Sequence, residues 1–154
     1  MSIPKIKNKE SDMCNVNVVK KLKDHKMWLS SGGKKGTPAD FSYGDLRGID
    51  LTDTNLKKAN FKAVNMEAAI LKNADLREAR FNGSNMEGVN LRGANLQGSN
   101  LDNVNLYNAD LSNVCLDHSS LKNTNLHGAN LNGAMLANLQ LKGVKVSIET
   151  KVAD

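Results

Sequence analysis

The side chains best suited to chemistry in this 154-residue chain are its histidines, its cysteines and a pair of serines. His118 is followed directly by Ser119 and Ser120, but a serine nucleophile also needs an acid that orients the histidine and donors that bind an oxyanion. Neither His118 nor His127 belongs to a set of cysteine and histidine residues with the spacing of a metal site, so both are expected in water. The sequence predicts no catalytic residue, no metal site and no cofactor, and we expect that the protein is not an enzyme.

The two cysteines, Cys14 and Cys115, form neither a disulfide framework nor a metal-binding pattern. We expect an incidental or structural role for Cys115 on an outer face, with a redox or ligand role as the alternative. A low cysteine count suits a reducing compartment, so we expect a cytoplasmic protein. No apolar run is long enough to span a membrane, and no signal peptide follows the first residue.

The net charge of +5 comes from the first part of the chain. Residues 1–38 hold nine lysines and three acids, whereas residues 39–146 hold eleven basic and eleven acidic side chains. An acidic protein, an acidic lipid surface or nucleic acid could bind such a basic segment, but a solvated face is the simpler reading and nucleic acid is not expected. The candidate partner contacts are Lys20, Lys21, Lys23, Lys26, Lys34 and Lys35.

An apolar residue occurs at every fifth position of residues 39–146, and this period predicts the structural elements that position the side chains described above. A period of five fits neither a helix nor a strand, so it indicates a repeating supersecondary unit. A mostly small residue lies two positions before each apolar one, as Ala59 does before Phe61. The predicted core residues are Phe41, Leu46, Leu51, Leu56, Phe61, Met66, Leu71, Leu76, Phe81, Met86, Leu91, Leu96, Leu101, Leu106, Leu111, Leu116, Leu121, Leu126, Leu131, Leu136 and Leu141.

A second period of twenty residues relates the bulky members of this set. Phe41, Phe61 and Phe81 are twenty apart, and so are Met66 and Met86. If four short segments make one square coil, residues twenty apart stack in one column. The pattern predicts an all-β solenoid of about five coils, with parallel pairing at roughly 4.8 Å per coil.

Corner positions, two after each apolar residue, differ between the two halves of the repeat. From Gly83 onward they are almost all Gly or Asn, which tolerate a positive φ, whereas the earlier corners include Tyr43, Lys58 and Ala63. We therefore expect the corner geometry to change between the first and second halves.

The units at 74–78 (ADLRE), 94–98 (ANLQG) and 129–133 (ANLNG) resemble the A(D/N)LXX consensus of pentapeptide-repeat proteins. The resemblance covers about two-thirds of the chain. It implies a right-handed quadrilateral β-helix and no common catalytic residues. The chain departs from the consensus at Ile70, Arg80, Cys115, Met135 and Leu139.

Four segments are expected along the chain. Residues 1–11 form a disordered basic tail, 12–38 a capping helix and linker, 39–146 the repeat, and 147–154 a C-terminal tail. Val18, Leu22, His25 and Leu29 share one helix face, which is expected to cover the open first coil. Gly32-Gly33 marks the end of this helix.

The other end of the repeat has no predicted helical cap. Val144, Val146, Ile148 and Val152 form a partly alternating strand instead. Its uncovered edge is either blunted by nearby charges or used for pairing with a second copy. We therefore predict a homodimer through the C-terminal end, with an edge blunted by charges as the alternative.

Three functions remain open. The first is a non-enzymatic scaffold that presents a rigid polar rod to an unknown protein partner. The second follows from the family resemblance, since some members mimic DNA and protect a type II topoisomerase (gyrase); a mimic needs a dense stripe of carboxylates, and here the acids alternate with Lys and Arg. The third is an effector or phage-borne protein that contacts a host through the basic leading segment.

Overall fold

The chain begins with one helix that ends just before the repeat. The computed structural model describes residues 12–146 and 151–152, with side chains for 17–146. The predicted tail 1–11 and most of 147–154 lie outside the described residues. Helix α1 spans Asp12–Ser30, close to the predicted bounds. It ends where Gly32 and Gly33 take positive φ values of 64° and 87° and the Gly33 N–H donates to the Trp28 carbonyl at 2.8 Å.

Residues 39–146 are held together by parallel pairing between residues twenty apart. Single-residue bridges run in steps of five from Asp40↔Asn60 to Asn125↔Lys145. At the first bridge the Phe41 N–H donates to the Asn60 carbonyl at 2.8 Å, and the Asn60 N–H donates to the Ala39 carbonyl at 2.9 Å. The chain therefore advances by one ladder spacing every twenty residues, as a solenoid of short extended segments and turns does.

The consensus departures keep this register. Ile70 pairs with Asp50, Arg80 pairs with Asn60, and Cys115 pairs with Asn95, each at a separation of twenty. Since these side chains project outward from the ladder, a change of residue type there leaves the pairing intact.

The interior is a continuous apolar column. Every central residue from Leu51 to Leu116 is fully shielded from solvent, and Phe61 stacks between Phe41 and Phe81 at ring-centroid distances of 5.2 and 4.9 Å. Small residues such as Ala59, which is also fully buried, leave room for the rings. Burial of these side chains is the main term that stabilises the fold.

The corners show that the expected change of turn geometry is wrong. The corner residue has a positive φ throughout, with 59° at Tyr43, 51° at Ala63 and 55° at Asn138. Each central carbonyl from Phe41 to Leu131 accepts from the N–H three residues on, as the Phe41 carbonyl does from Gly44 at 3.0 Å. A hydrogen-bonded turn with positive φ at its third residue is typical of type II, and the ladder requires it at every corner whatever the side chain.

The pairing changes at the C-terminal end of the described repeat. Strand β1 (Asn130–Leu131) pairs in parallel with strand β2 (Lys151–Val152), in the register Asn130↔Lys151. That separation of 21 residues departs from the repeat by one. Two predicted core residues differ from expectation here: Leu136 is 37% and Leu141 is 53% exposed, because no described turn stacks on their outer side.

In the part of the chain that the structure describes, no helix combines the length and apolar character needed to cross a lipid bilayer.

Candidate interaction surface

Helix α1 is fixed to the first repeat by a buried histidine. The Ala39 N–H donates to His25 Nδ1 at 3.0 Å, and the imidazole stacks on Trp28 at 5.7 Å. His25 Nε2 is buried without a hydrogen-bond partner, and burial lowers the pKa of His25 below its usual value of 6.5. At Gly36, with φ of 74°, a Cβ would collide with the Asp24 carbonyl, so the linker passes close against the helix. The neutral imidazole thus acts as an acceptor for the first backbone donor of the repeat.

The six lysines singled out from the sequence lie on helix α1 and on the linker that follows it. Within residues 17–146 none of the six forms an ion pair. Lys21 is half-buried, and its Nζ lies 5.4 Å from the centroid of the Phe41 ring, next to Asp40. The remaining five are exposed: Lys20, Lys23, Lys26, Lys34 and Lys35. Their positive charge is therefore available to an anionic partner.

On the repeat, part of the acidic charge is neutralised locally. Arg47 Nη2 lies 2.7 Å from Asp45 Oδ2, and Arg77 Nη2 lies 2.6 Å from Asp75 Oδ2. Hydrogen bonds from these arginines hold the pKa of both carboxyls below the usual range. Each pair joins residues two apart, so a carboxylate and a cation lie side by side where a DNA mimic would need acids alone.

An uncharged amide ladder runs along one side. Asn85 Nδ2 donates to Asn65 Oδ1 at 3.3 Å, Asn105 Nδ2 to Asn85 at 3.0 Å, and Asn125 Nδ2 to Asn105 at 2.9 Å. The side-chain amides are paired with one another and also accept from the backbone two residues on, as Asn105 does from the Tyr107 N–H. This ladder orders the outer surface but leaves few groups free for a ligand.

Four outward side chains from the first turns of the repeat form a group that no local sequence pattern indicates. We call Tyr43, Lys58, Lys62 and Arg80 the Tyr43 surface. Tyr43 is 71% exposed, and Lys62 Nζ lies 5.8 Å from its ring centroid. Arg80 is exposed, and within residues 17–146 no ion pair includes it. The available signals were Arg80 in place of the consensus Asp or Asn, and Tyr43 and Lys58 in place of Gly or Asn at corners.

The residues near His118 do not assemble a nucleophile. Ser119 is fully buried and donates to the Leu96 carbonyl at 2.7 Å, while Ser120 donates to Asp102 at 2.5 Å. His118 occupies an exposed corner with φ of 60°. Within the described residues no group of three His, Cys, Asp or Glu side chains is arranged to hold a metal ion.

The C-terminal end of the repeat presents apolar side chains. The central residues Leu141 and Val146 are 53% and 58% exposed, whereas the central residues of earlier turns are buried, and the outward residue Met135 is 54% exposed. This change in burial coincides with the last of the described bridges, Asn125↔Lys145.

Comparison with known proteins gives a consistent result. The family profile described as Pentapeptide repeats matches residues 39–73, 69–108, 84–123 and 109–147, in eight copies. The crystal structure of Rfr23, a pentapeptide repeat protein from the cyanobacterium Cyanothece 51142, is 26% identical with a TM-score of 0.70, over 71% of this chain and 88% of that one.

Two other solved structures have lower TM-scores. A pentapeptide repeat protein from the thylakoid lumen of Arabidopsis thaliana is 29% identical over 75% of this chain and 70% of that one, with a TM-score of 0.32. QnrB1, a plasmid-mediated fluoroquinolone resistance protein, is 21% identical over 72% of this chain and 79% of that one, with a TM-score of 0.41. No curated protein sequence matched the chain.

Proposed function

Because the chain belongs to the pentapeptide-repeat family, we propose that it is a non-enzymatic scaffold that binds a protein partner through the outside of a rigid rod. The observation that carries this proposal is the unbroken ladder around a fully shielded interior. In such a rod the outward side chains are held in columns. A rigid surface of this kind loses little conformational entropy when it binds a partner.

We further infer a right-handed quadrilateral β-helix of about five coils. The twenty-residue register and the likeness to the Rfr23 structure support this form. We also propose that residues 12–38 cap the first coil, since His25 Nδ1 accepts the Ala39 N–H, and that 39–146 form the repeat. The cytoplasmic location stays a prediction that rests on the low cysteine count.

The charge of the cap favours an acidic partner. Five exposed lysines on α1 and its linker raise the positive potential at one end of a rod that is otherwise balanced in charge. The topoisomerase and host-effector alternatives have less support. The first needs a stripe of unpaired carboxylates, whereas Asp45 and Asp75 are paired with arginines; the second rests on the basic segment alone.

We also propose a homodimer through the C-terminal end, because Leu141 and Val146 are exposed at the end of the described repeat. Light scattering over a range of protein concentrations tests it. We expect dissociation of the dimer in Leu141→Asp and no effect of Tyr107→Asp, a control at a 40% exposed tyrosine away from this end. A wild-type protein that remains monomeric at the highest concentration contradicts the proposal.

Affinity capture from the source organism tests the scaffold function. The bait is the full-length chain, compared with a variant that combines Lys20→Glu, Lys23→Glu and Lys26→Glu. We expect a partner that rebinds in purified form to the wild type and more weakly to the variant. Retention of gyrase by both baits would favour the topoisomerase alternative, and capture of nothing by the wild type would contradict the scaffold proposal.

A further inference from the structure

The corners of the first two turns carry side chains that are costly to place there. A left-handed backbone costs a residue with a Cβ about 1–2 kcal/mol, and Gly, Asn or Asp lowers that cost. The corners that depart from Gly, Asn and Asp are Tyr43, Lys58, Ala63, Ala68, Glu78 and His118. All but the last lie in residues 43–78, next to the cap. A conformational cost concentrated in one region is typical of a functional surface.

The four sides of the rod make this concentration clearer. We number the sides by their first central residues, Phe41, Leu46, Leu51 and Leu56, and residues twenty apart belong to the same side. Tyr43, Ala63 and Arg80 lie on side 1, and Lys58 and Glu78 lie on side 4. Four of the five unusual corners near the cap therefore fall on two adjacent sides.

The same two sides are positively charged. Over residues 40–98, sides 1 and 4 hold five basic side chains against three acids, whereas sides 2 and 3 hold three against five. The balanced charge of the rod thus hides a separation of charge around its circumference. Lys21 of helix α1, next to Phe41 and Asp40, adds a further positive charge at the cap end of side 1.

Not all of these charges are available. Lys57 and Lys58 share Glu78, at 3.2 and 3.3 Å, and Arg77 is paired with Asp75. Within residues 17–146 Lys62 forms no ion pair and lies over the exposed ring of Tyr43, and Arg80 forms none either. Tyrosine and arginine are the residue types that most often dominate the binding energy of protein interfaces.

We propose that the Tyr43 surface docks an extended acidic segment of a partner protein, with Lys62 and Arg80 binding its carboxylates and Tyr43 packing against it. The Arg80 backbone pairs with Asn60, which is two residues before Lys62, so the two cations lie on neighbouring turns of one side. An extended segment presents every second side chain on one face, at about 6.6 Å, which allows two carboxylates within this small area.

Other anionic partners fit less well. A nucleic acid needs a long run of cations to neutralise successive phosphates, and only a few are free here. An anionic membrane would require apolar side chains to insert beside the cations, and Tyr43 is the one large apolar group of the surface. The proposal rests on the scaffold function and narrows it to one surface and one partner class.

The first test is binding of a labelled peptide of alternating Glu and Ser to the full-length protein by fluorescence anisotropy. We expect binding that weakens as salt is raised, and an affinity loss of about tenfold in Arg80→Glu. Arg92→Glu is the matched control, since it makes the same charge change at an exposed position on side 3. Tyr43→Gly, which suits the positive φ, should lower the affinity several-fold.

An equal loss in Arg80→Glu and Arg92→Glu would overturn the proposal, as would no binding to the wild type. So would tighter, Arg80-dependent binding of single-stranded DNA or of phosphatidylserine vesicles. Circular dichroism confirms that each variant is folded; Lys62→Glu replaces Arg80→Glu if the latter is not.

Affinity capture from the source organism distinguishes failure of the docking proposal from failure of the scaffold proposal. A partner that is retained equally by the wild type and by Arg80→Glu leaves the scaffold function standing and overturns the docking surface. A partner lost in Arg80→Glu but kept by Arg92→Glu supports both.

Discussion

Phe61 is the residue whose removal tests the packed interior most directly. It is fully shielded from solvent and stacks on Phe41 and Phe81 at 5.2 and 4.9 Å. Truncation in Phe61→Ala removes the ring from the middle of the stack and leaves both neighbouring rings facing a cavity. The ladder above and below holds the spacing of the turns, so the cavity has little freedom to collapse.

The expected loss of unfolding free energy follows from these contacts. A buried Phe→Ala change costs about 3–5 kcal/mol, and each aromatic pair adds roughly 0.5–1.5 kcal/mol beyond burial. Phe61→Ala loses two pairs, so a value near the top, about 5 kcal/mol, is expected. Phe61→Leu keeps most of the volume but loses both aromatic pairs, which should cost about 1–3 kcal/mol. Phe41→Ala loses one pair at the end of the stack and should cost about 3 kcal/mol.

Urea unfolding followed by circular dichroism measures these differences. Because turns of a solenoid can unfold separately, hydrogen exchange at the Phe61 turn should accompany the titration. The exchange data show whether the loss is global or confined to the turns that contact the cavity.

Two results would refute the reasoning. Equal losses for Phe61→Ala and Phe41→Ala would mean that the second stacking contact contributes nothing. A loss below about 0.5 kcal/mol for Phe61→Leu would mean that ring geometry is irrelevant and only volume matters.

Three further predictions concern the cap, the inward positions and the corners. Because burial lowers the pKa of His25 in the folded state, the unfolded chain binds more protons than the folded chain does. The contribution of His25 to stability should therefore be complete above pH ~6.5 and should decline as the pH falls below that value. In thermal melts at successive pH values, His25→Asn, which keeps a hydrogen-bond acceptor, should flatten this decline. Leu91→Lys should unfold the adjoining turns by urea titration, while Arg92→Ala should change stability by less than about 0.5 kcal/mol; similar losses would contradict the inward and outward assignment. Ala63→Gly should raise stability by about 0.5–1 kcal/mol and Gly83→Ala should lower it by a similar amount, and the same sign for both would contradict the strain argument.

The repeat and its interior could be predicted from the sequence. The period of five placed Leu91 inside and Arg92 outside, and the period of twenty placed the phenylalanines in one stack. Because the pattern repeats along the chain, each pentapeptide gives the same prediction of which residue is buried. Burial of apolar side chains is also the dominant energy term.

The conformation of the corners could not be predicted from local propensity, because hydrogen bonds between turns decide it and the corner side chain does not. The propensities of Tyr43, Lys58 and Ala63 suggested a different turn from that of the glycine corners. The hydrogen-bonded ladder imposes the same positive φ on all of these corners. The hydrogen bonds that the neighbouring backbone makes to adjacent turns outweigh the preference of a residue with a Cβ for a negative φ.

The Tyr43 surface and the two ends of the repeat also could not be predicted fully from the sequence. The lysines of α1 were visible as a run of charge, but the Tyr43 surface joins residues from different turns, whose side chains meet only through the twenty-residue register. The exposure of Leu141 likewise depends on what lies beyond its turn, which no local pattern records.

By itself, the sequence determined the unit of the fold, its inward and outward positions and its family. The tertiary structure decided that every corner has one conformation, that His25 accepts the Ala39 N–H, and which outward side chains come together. There is a physical reason for this difference. The pattern of apolar residues within each pentapeptide is enough to predict which side chains are buried. Hydrogen bonds and charge contacts between turns join residues about twenty apart, so they exist only in the folded chain.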